Sequence, residues 1–118
     1  MCNFFSESAE MRKDIHWEMG NCHDQLHQYQ KAYESYQEAL NEARKVHGDK
    51  PHSDIATLLM KVGQNLEVLG NINDAIKIHQ EALDMKEKLF DEKKIPASDL
   101  AKQFNSLGSC QDTLGEYQ

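Results

Sequence analysis

The heptapeptide YQEALNE at Tyr36–Glu42 returns 43 residues later as HQEALDM at His79–Met85. The flanking residues repeat at the same offset, because AYESYQEAL from Ala32 aligns with AIKIHQEAL from Ala75. A fixed period of about 40 residues is typical of proteins built from stacked supersecondary units. The duplication therefore predicts a repeat architecture.

A second repeated segment lies upstream of each heptapeptide. MGNCHDQL at Met19–Leu26 aligns with VGQNLEVL at Val62–Leu69, and LGSCQDTL at Leu107–Leu114 follows the latter by 45 residues. The two extra residues fall in DEKKIPASD, a charged stretch with a proline that we interpret as a loop. Insertions collect in loops, so the third copy keeps the same unit.

Each unit contains two helical patterns. Apolar residues recur at i, i+3, i+4 and i+7, and no segment alternates with period two, so we predict an all-α fold. The predicted core positions of the first helices are Ile15, Met19, Cys22, His23, Leu26, Ile55, Leu58, Leu59, Val62, Leu66, Leu69, Leu100, Phe104, Leu107 and Leu114. Those of the second helices are Tyr29, Ala32, Tyr33, Tyr36, Ala39, Leu40, Ala43, Val46, Ile72, Ala75, Ile76, His79, Ala82, Leu83, Leu89 and Phe90.

Proline and glycine mark the helix ends. Pro51 and Pro96 are expected near the first turn of a helix, and Gly70 and Gly115 are expected at left-handed C-caps. We predict five helices, near residues 7–26, 28–47, 53–69, 72–92 and 97–114.

Three further glycines fall inside the first helices at the same phase. Glycine in a helix interior costs about 1 kcal/mol relative to alanine, so its recurrence there needs a reason. We predict a close helix–helix approach at Gly20, Gly63 and Gly108, with Ala39 and Ala82 on the opposing helices.

The combined pattern resembles the tetratricopeptide repeat, whose motif is W-x2-L-G-x2-Y followed by A-x3-F and a later alanine. The third copy stops after the first helix of the motif. The matching positions are His16, Met19, Gly20, His23, Ala32, Tyr36 and Ala39 in the first copy, Leu59, Val62, Gly63, Leu66, Ala75, His79 and Ala82 in the second, and Phe104, Leu107, Gly108 and Gln111 in the third.

The resemblance implies a right-handed α-solenoid of antiparallel helix pairs, with about two and a half repeats. The repeats would occupy about 7–47 and 53–92, with the first helix of a third at about 97–114, in one domain over 1–118. The usual period of the family is about 34 residues. The longer period here resembles the kinesin light chain and nephrocystin type.

Composition limits the classes of protein that fit. The formal net charge of −7 argues against nucleic acid as the main partner, since phosphate binding depends on clustered lysine and arginine. No apolar run approaches the roughly 20 residues of a membrane helix, and the first ten residues do not resemble a secretory signal. Cys2, Cys22 and Cys110 are odd in number and widely spaced, so we expect a reduced compartment, the cytoplasm.

One short motif suggests metal chemistry. HDQLH places His23 and His27 at i, i+4, the spacing of the zinc motif H-E-x-x-H, but Asp24 replaces the glutamate. His23 and His27 also occupy positions that the repeat itself accounts for, so we expect no metal site there. No nucleophile elbow or phosphate-binding loop is present in the sequence. We therefore expect no catalytic activity and no cofactor.

The resemblance also implies where a ligand binds, because first helices line the concave face in this family. The residues opposite the core stripe are then the candidate contacts. They are Trp17, Asn21, Asp24, Met60, Lys61, Gln64, Glu67, Lys102, Asn105, Ser109 and Asp112, flanked by Asp14, Glu18, Gln25, Thr57, Val68 and Ser106.

Trp17 has two interpretations. As an exposed side chain beside Met60, it would form an apolar anchor, because tryptophan is enriched at binding hot spots. Alternatively, it packs on the preceding segment MCNFF.

The charges of this face favour one class of ligand. Some members of the family clamp a C-terminal carboxylate with lysine, asparagine and arginine, but only Asn21 and Lys102 match that pattern here. The candidate face carries five carboxylates against two lysines, which suits a basic or apolar peptide better than an acidic one. The carboxylates are those of Asp14, Glu18, Asp24, Glu67 and Asp112, and the lysines are Lys61 and Lys102.

Two functions fit the sequence. The first is a non-catalytic scaffold that binds a peptide or a partner protein. The second is self-association into a larger helical assembly, because the third first-helix has no second helix to cover Phe104, Leu107 and Leu114. In that case we expect homo-oligomers formed through the open C-terminal end.

Overall fold

The chain folds into five α-helices and the short turns between them. The computed structural model describes residues 4–48 and 50–116, with side chains over 8–48, 50–112 and 115. The helices are α1 (Phe4–Gln25), α2 (Tyr29–His47), α3 (Ser53–Val68), α4 (Ile72–Asp91) and α5 (Ala97–Glu116). Within those residues no strand occurs, so the predicted all-α solenoid is confirmed. α1 begins at Phe4, three residues earlier than expected.

Each helix packs on the next one along the chain, from α1 on α2 to α4 on α5. This neighbour-to-neighbour packing is the arrangement expected of stacked helical units. The molecule measures 54 × 35 × 19 Å, so it is an elongated slab with a thin core. None of the helices in the described ranges is long and apolar enough to cross a membrane.

The turns within the repeats share one geometry. Gly70 has a φ of 89°, and its repeat equivalent His27 has a φ of 60°. Around Gly70, the Asn71 amide donates to the Leu66 carbonyl at 2.8 Å and the Gly70 amide donates to the Glu67 carbonyl at 3.1 Å. This pair of bonds is a Schellman motif, and it forms in the same way after α1. The C-cap prediction is thus confirmed for Gly70 and wrong for Gly115, because α5 continues through that residue.

The core lies in the middle of the array, on α2, α3 and α4. Its members include Tyr36, Leu40, Leu58, Leu59 and Val62, all at most 1% exposed. These five residues were all predicted to be buried. The repeat period therefore locates the central core correctly.

The predicted core stripe of α1 is wrong. Ile15 is 51% exposed, Met19 is 44% exposed and Leu26 is 65% exposed, and Cys22 is also exposed. The equivalent positions in α3, Leu58 and Val62, are buried where α2 packs against α3. α1 comes first among the described helices, and none of them packs on the corresponding side of it.

The buried side of α1 is instead held by polar and small residues. Ala9, Lys13 and Gly20 are buried, and the Lys13 ammonium donates to Asp54 on α3 at 2.9 Å. Burial works to lower the pKa of Lys13, but hydrogen bonds to Glu10 and Asp54 outweigh it and raise the pKa. The charged Lys13 therefore links α1 to α3, a contact that the apolar pattern did not predict.

Two helical glycines lie against aromatic rings. A Cβ added at Gly20 would lie 2.6 Å from Cε1 of Tyr36, and one at Gly63 would lie 2.7 Å from Cε1 of His79. The predicted close approach is confirmed at these two sites, although the rings of the second helices, rather than Ala39 and Ala82, are the nearest groups. At Gly108, no atom of a neighbouring described residue lies within 4 Å of an added Cβ.

The last helix is buried on one side only. Gln103, Leu107 and Cys110 are buried against the preceding helices, whereas Phe104 is 51% exposed. Phe104 occupies the motif position of Leu59, which is fully buried in α3, a helix that packs on both α2 and α4. Phe104 is therefore left partly uncovered, as predicted. The same prediction is wrong for Leu107, which is buried. The Leu114 side chain lies outside the described residues.

Candidate functional site

The first part of the candidate face is an open depression between α1 and α3. It measures about 480 Å³ and is lined by Glu18, Asn21, Cys22, Asp24, Gln25 and Lys61. Three predicted contacts, Asn21, Asp24 and Lys61, therefore lie together. The depression combines two carboxylates, two amides and one ammonium group, which are groups that can pair with the polar atoms of a peptide.

Asn21 is fixed by the core below it. The Tyr36 hydroxyl donates to Asn21 Oδ1 at 2.6 Å. Burial raises the pKa of Tyr36 to about 12, and Asp24 and Glu18 add to the effect, so the hydroxyl stays a donor at neutral pH. The position of Asn21 in the depression is thus set by a fully buried ring.

The second part is a smaller cavity of about 130 Å³ between α3, α4 and α5. Thr57, Met60 and Lys102 from the predicted face line it, together with Lys86 and Asp99, which the sequence did not indicate. The Lys86 ammonium lies 3.8 Å from the Met60 sulfur.

Lys86 is only 6% exposed, although Asp84, Glu87 and Lys88 surround it in the sequence. Burial lowers its pKa, nearby Lys102 lowers it further, and Asp99 acts in the opposite direction. Its long aliphatic stem explains how it enters the cavity wall despite its charge. The burial of Lys86 could not be predicted from the sequence periodicity, because lysine is equally suited to a solvated helix face.

Trp17 does not stand free on this face. It is half-buried and packs against the core cluster, and the Lys13 ammonium lies 6.0 Å from its ring centroid. Trp17 is therefore only partly exposed, because its ring fills space beside the core, and its predicted alternative contact with MCNFF lies outside the described side chains. Whether its exposed edge contacts a ligand stays a prediction.

The other predicted contacts are spread along α3 and α5. Gln64, Asn105, Ser109 and Asp112 are exposed and lie outside the two depressions just described. Glu67 is half-buried, with its carboxylate 3.9 Å from His79 Nε2. The structure therefore brings together some of the predicted residues in two places, and the others lie apart.

The two histidines of HDQLH do not converge. His23 Nδ1 pairs with the Gln28 side-chain oxygen at 2.9 Å, and His27 Nδ1 pairs with the Tyr29 hydroxyl at 2.7 Å. His27 also lies beyond the end of α1, in the left-handed turn. The helical i, i+4 geometry that the zinc motif requires is absent at this pair.

The exposed side of α1 carries an apolar patch, formed by residues that the repeat pattern predicted to be buried. A shallow, almost wholly apolar patch is lined by Ile15, Met19 and Cys22, with Asp14, Glu18 and His23 at its edge. The helical spacing of Ile15, Met19 and Cys22, from which burial was predicted, is the sequence signal for this patch.

Comparison with known proteins agrees with this architecture. A family model described as "Tetratricopeptide repeat" matches residues 13–88. The crystal structure of BtubC (BKLC) from P. vanneervenii superposes on 90% of this chain with a TM-score of 0.80 and 23% sequence identity. The chain covers 41% of the length of that structure, and the search of curated proteins gives no match. Because the family model covers more than half of the sequence, the chain belongs to the tetratricopeptide repeat family.

Proposed function

We propose that this chain is a non-catalytic scaffold that binds a peptide segment or a partner protein through the face formed by α1, α3 and α5. Repeats of this family are generally protein-interaction scaffolds. The observation that carries the proposal is the depression between α1 and α3, where Asn21 is positioned by Tyr36 beside Asp24 and Lys61. A preorganised polar group loses less freedom on binding than a mobile one.

The ligand that fits this face is basic or apolar. Glu18 and Asp24 outnumber Lys61 in the depression. Opposite charges on a partner would steer its approach and fix its register. We place the protein in the cytoplasm, since Cys22 and Cys110 are both free thiols.

Binding can be tested with peptides selected from a random display library and measured by fluorescence anisotropy. We expect an Asp24→Ala, Lys61→Ala double variant to lose at least about 10-fold in affinity, equivalent to about 1.4 kcal/mol. The affinity of a basic peptide should also fall as salt rises above about 0.15 M, because exposed charges are then screened within about 8 Å.

The matched control is a Glu38→Ala, Lys77→Ala double variant, which also removes one acid and one lysine but from exposed positions on α2 and α4. It should bind like the unmodified protein. If this control loses affinity while the Asp24, Lys61 variant does not, the ligand binds the second helices and the proposed face is wrong.

Self-association is the second candidate function, and the exposed apolar side chains at both ends of the array favour it. Ile15 and Met19 at one end and Phe104 at the other are each more than 40% exposed. Burying an apolar side chain of this size fully stabilises an assembly by about 1.5–3 kcal/mol. Two copies could therefore cover each other's ends.

Sedimentation over a concentration range tests this candidate. We expect the average mass to rise with concentration, and Ile15→Glu or Phe104→Glu to shift the protein towards monomer. Gln30→Glu, at an exposed position of α2, adds the same charge and should change nothing. A monomer that persists at high micromolar concentration would exclude self-association.

A further inference from the structure

Three side chains that commonly bind metals meet between three successive helices. Glu67 comes from α3, His79 from α4 and Cys110 from α5. One ligand atom of each lies within 4.8 Å of the other two, and His79 Nε2 is 3.9 Å from Glu67 Oε2. This cluster lies outside the two depressions assigned to peptide binding.

His79 Nε2 is a buried polar atom without a hydrogen-bond partner among the described residues. The ring is fully buried, and its other nitrogen, Nδ1, lies 3.0 Å from the Gln103 amide nitrogen. Buried side-chain nitrogens in native proteins nearly always have a partner, so an unpaired one needs an explanation. Here the unpaired atom faces a carboxylate and a thiol.

We propose that Glu67, His79 and Cys110 bind one zinc-class divalent cation, with a water molecule as the fourth ligand. Thiolate, imidazole and carboxylate are the ligands that Zn²⁺ takes in proteins. A thiolate and a carboxylate together carry two negative charges, so one divalent cation makes the buried site neutral. Soft sulfur disfavours magnesium and calcium, which prefer oxygen ligands alone.

The three ligand atoms lie within 4.8 Å of one another, and they have to move closer together to enclose an ion. Metal–ligand bonds of about 2.0–2.3 Å in a tetrahedral site place neighbouring ligand atoms about 3.3–3.5 Å apart. The observed 3.9 Å between Glu67 and His79 therefore has to shorten by about half an ångström. The Glu67 side chain is 28% exposed, which gives the ion a path from solvent to two otherwise buried ligands.

Metal binding changes the protonation of two groups. Burial raises the pKa of Cys110 to about 12, and the hydrogen bond and charge of Glu67 add to this, so without metal the thiol keeps its proton. The ion replaces that proton, which leaves to solvent. His79 must be neutral with its remaining proton on Nδ1, and burial favours the neutral form by lowering its pKa, with Lys86 acting in the same direction and Glu67 against it.

Gln103 supplies the outer partner of the histidine. Its amide nitrogen faces both His79 Nδ1 and the His79 carbonyl, and its oxygen Oε1 is buried without a partner. If the Gln103 amide is rotated by 180°, its Oε1 can accept a hydrogen bond from His79 Nδ1–H. The hydrogen bond from the Gln103 amide nitrogen to the His79 carbonyl is then lost. A metal-binding histidine usually donates its second N–H to such an acceptor.

A second group of potential ligands, at the α2–α3 junction, does not form a comparable site. His47 and His52 stack with ring centroids 3.6 Å apart and an interplanar angle of 12°. Nitrogen lone pairs lie in the ring plane, so two parallel rings direct them side by side and not towards one ion. His52 Nδ1 also accepts from the Asp54 amide as the N-cap of α3.

The test uses the full chain without a histidine tag, titrated with Co²⁺ and then with Zn²⁺. We expect one Co²⁺ per chain with a thiolate-to-cobalt charge-transfer band, which Zn²⁺ abolishes. Changing an outer-shell partner of a metal typically costs about 10–100-fold in affinity, so Cys110→Ser, which changes a direct ligand, should cost about 100-fold or more. Cys22→Ser, at an exposed thiol, is the matched control and should leave band and affinity unchanged.

Circular dichroism of each variant separates loss of the site from loss of the fold. If Cys110→Ser does not fold, the Glu67→Gln variant provides the test. Because Glu67 is partly exposed, this variant should fold and still lose at least about 10-fold in Co²⁺ affinity. The proposal is overturned by a chain that binds no Co²⁺ saturably, by a thiolate band that survives in folded Cys110→Ser or vanishes in Cys22→Ser, or by unchanged affinity in Glu67→Gln.

Discussion

Replacing Leu59 by alanine is expected to lower the free energy of unfolding by about 2–5 kcal/mol. Leu59 is fully buried in the core cluster, whose members lie mostly on α2, α3 and α4 and include Cys110 on α5. The substitution removes three carbon atoms from a site that is enclosed by helices of both repeats, so the cavity can collapse only in part. Chemical denaturation followed by circular dichroism measures the loss.

Leu26→Ala is the matched control for this experiment. It makes the same chemical change at a side chain that is 65% exposed. Surface substitutions of this kind usually stay within about 0.5 kcal/mol. A loss below 1 kcal/mol for Leu59→Ala, or equal losses at the two sites, would show that the centre of the core lies elsewhere.

Leu59 also shows why the same motif position has different roles along the array. Its equivalents are His16 in the first repeat, which is half-buried, and Phe104 in the third, which is 51% exposed. Among these three positions in the described helices, only that of Leu59 lies in a helix that packs on both the preceding and the following repeat partner, α2 and α4. A repeat protein buries each unit on its neighbours, so burial depends on place in the array as well as on the motif.

The sequence predicted the helices and the central core because both depend on local patterns. The period of 3.6 fixes which side of α3 is apolar, and Gly70 fixes the turn that follows. The exposed stripe of α1 could not be predicted in this way. Ile15 and Met19 have the same pattern as Leu58 and Val62, and the difference is the presence of a packed neighbour.

The candidate sites depended more strongly on tertiary contacts. Asn21, Asp24 and Lys61 could be placed on one face by helical phase and the family resemblance, and they do line one depression. Glu67, His79 and Cys110 lie on three helices and far apart in sequence, so no spacing motif links them. Only the packing of α3, α4 and α5 brings these three side chains together.

Gly63 and Gly108, at the same phase of the repeat, should respond differently to the same substitution. Gly63→Ala places a methyl group 2.7–2.8 Å from the His79 ring, which is fully buried and held by Gln103. Gly108→Ala makes the same change where the part of the chain that the structure describes leaves the added Cβ without a neighbour within 4 Å. Both substitutions gain helix propensity of about 1 kcal/mol, so that gain cancels in the comparison.

The difference in unfolding free energy between these two variants therefore isolates the steric cost. Overpacking of this kind costs about 1–3 kcal/mol, so we expect Gly63→Ala to be less stable than Gly108→Ala by that amount. Gly108→Ala should itself be more stable than the unmodified protein. Denaturation is measured with a chelator present, so that metal binding near His79 does not contribute. Equal stability of the two variants would mean that the His79 ring can move aside, and that the close approach at Gly63 does not hold α3 against α4.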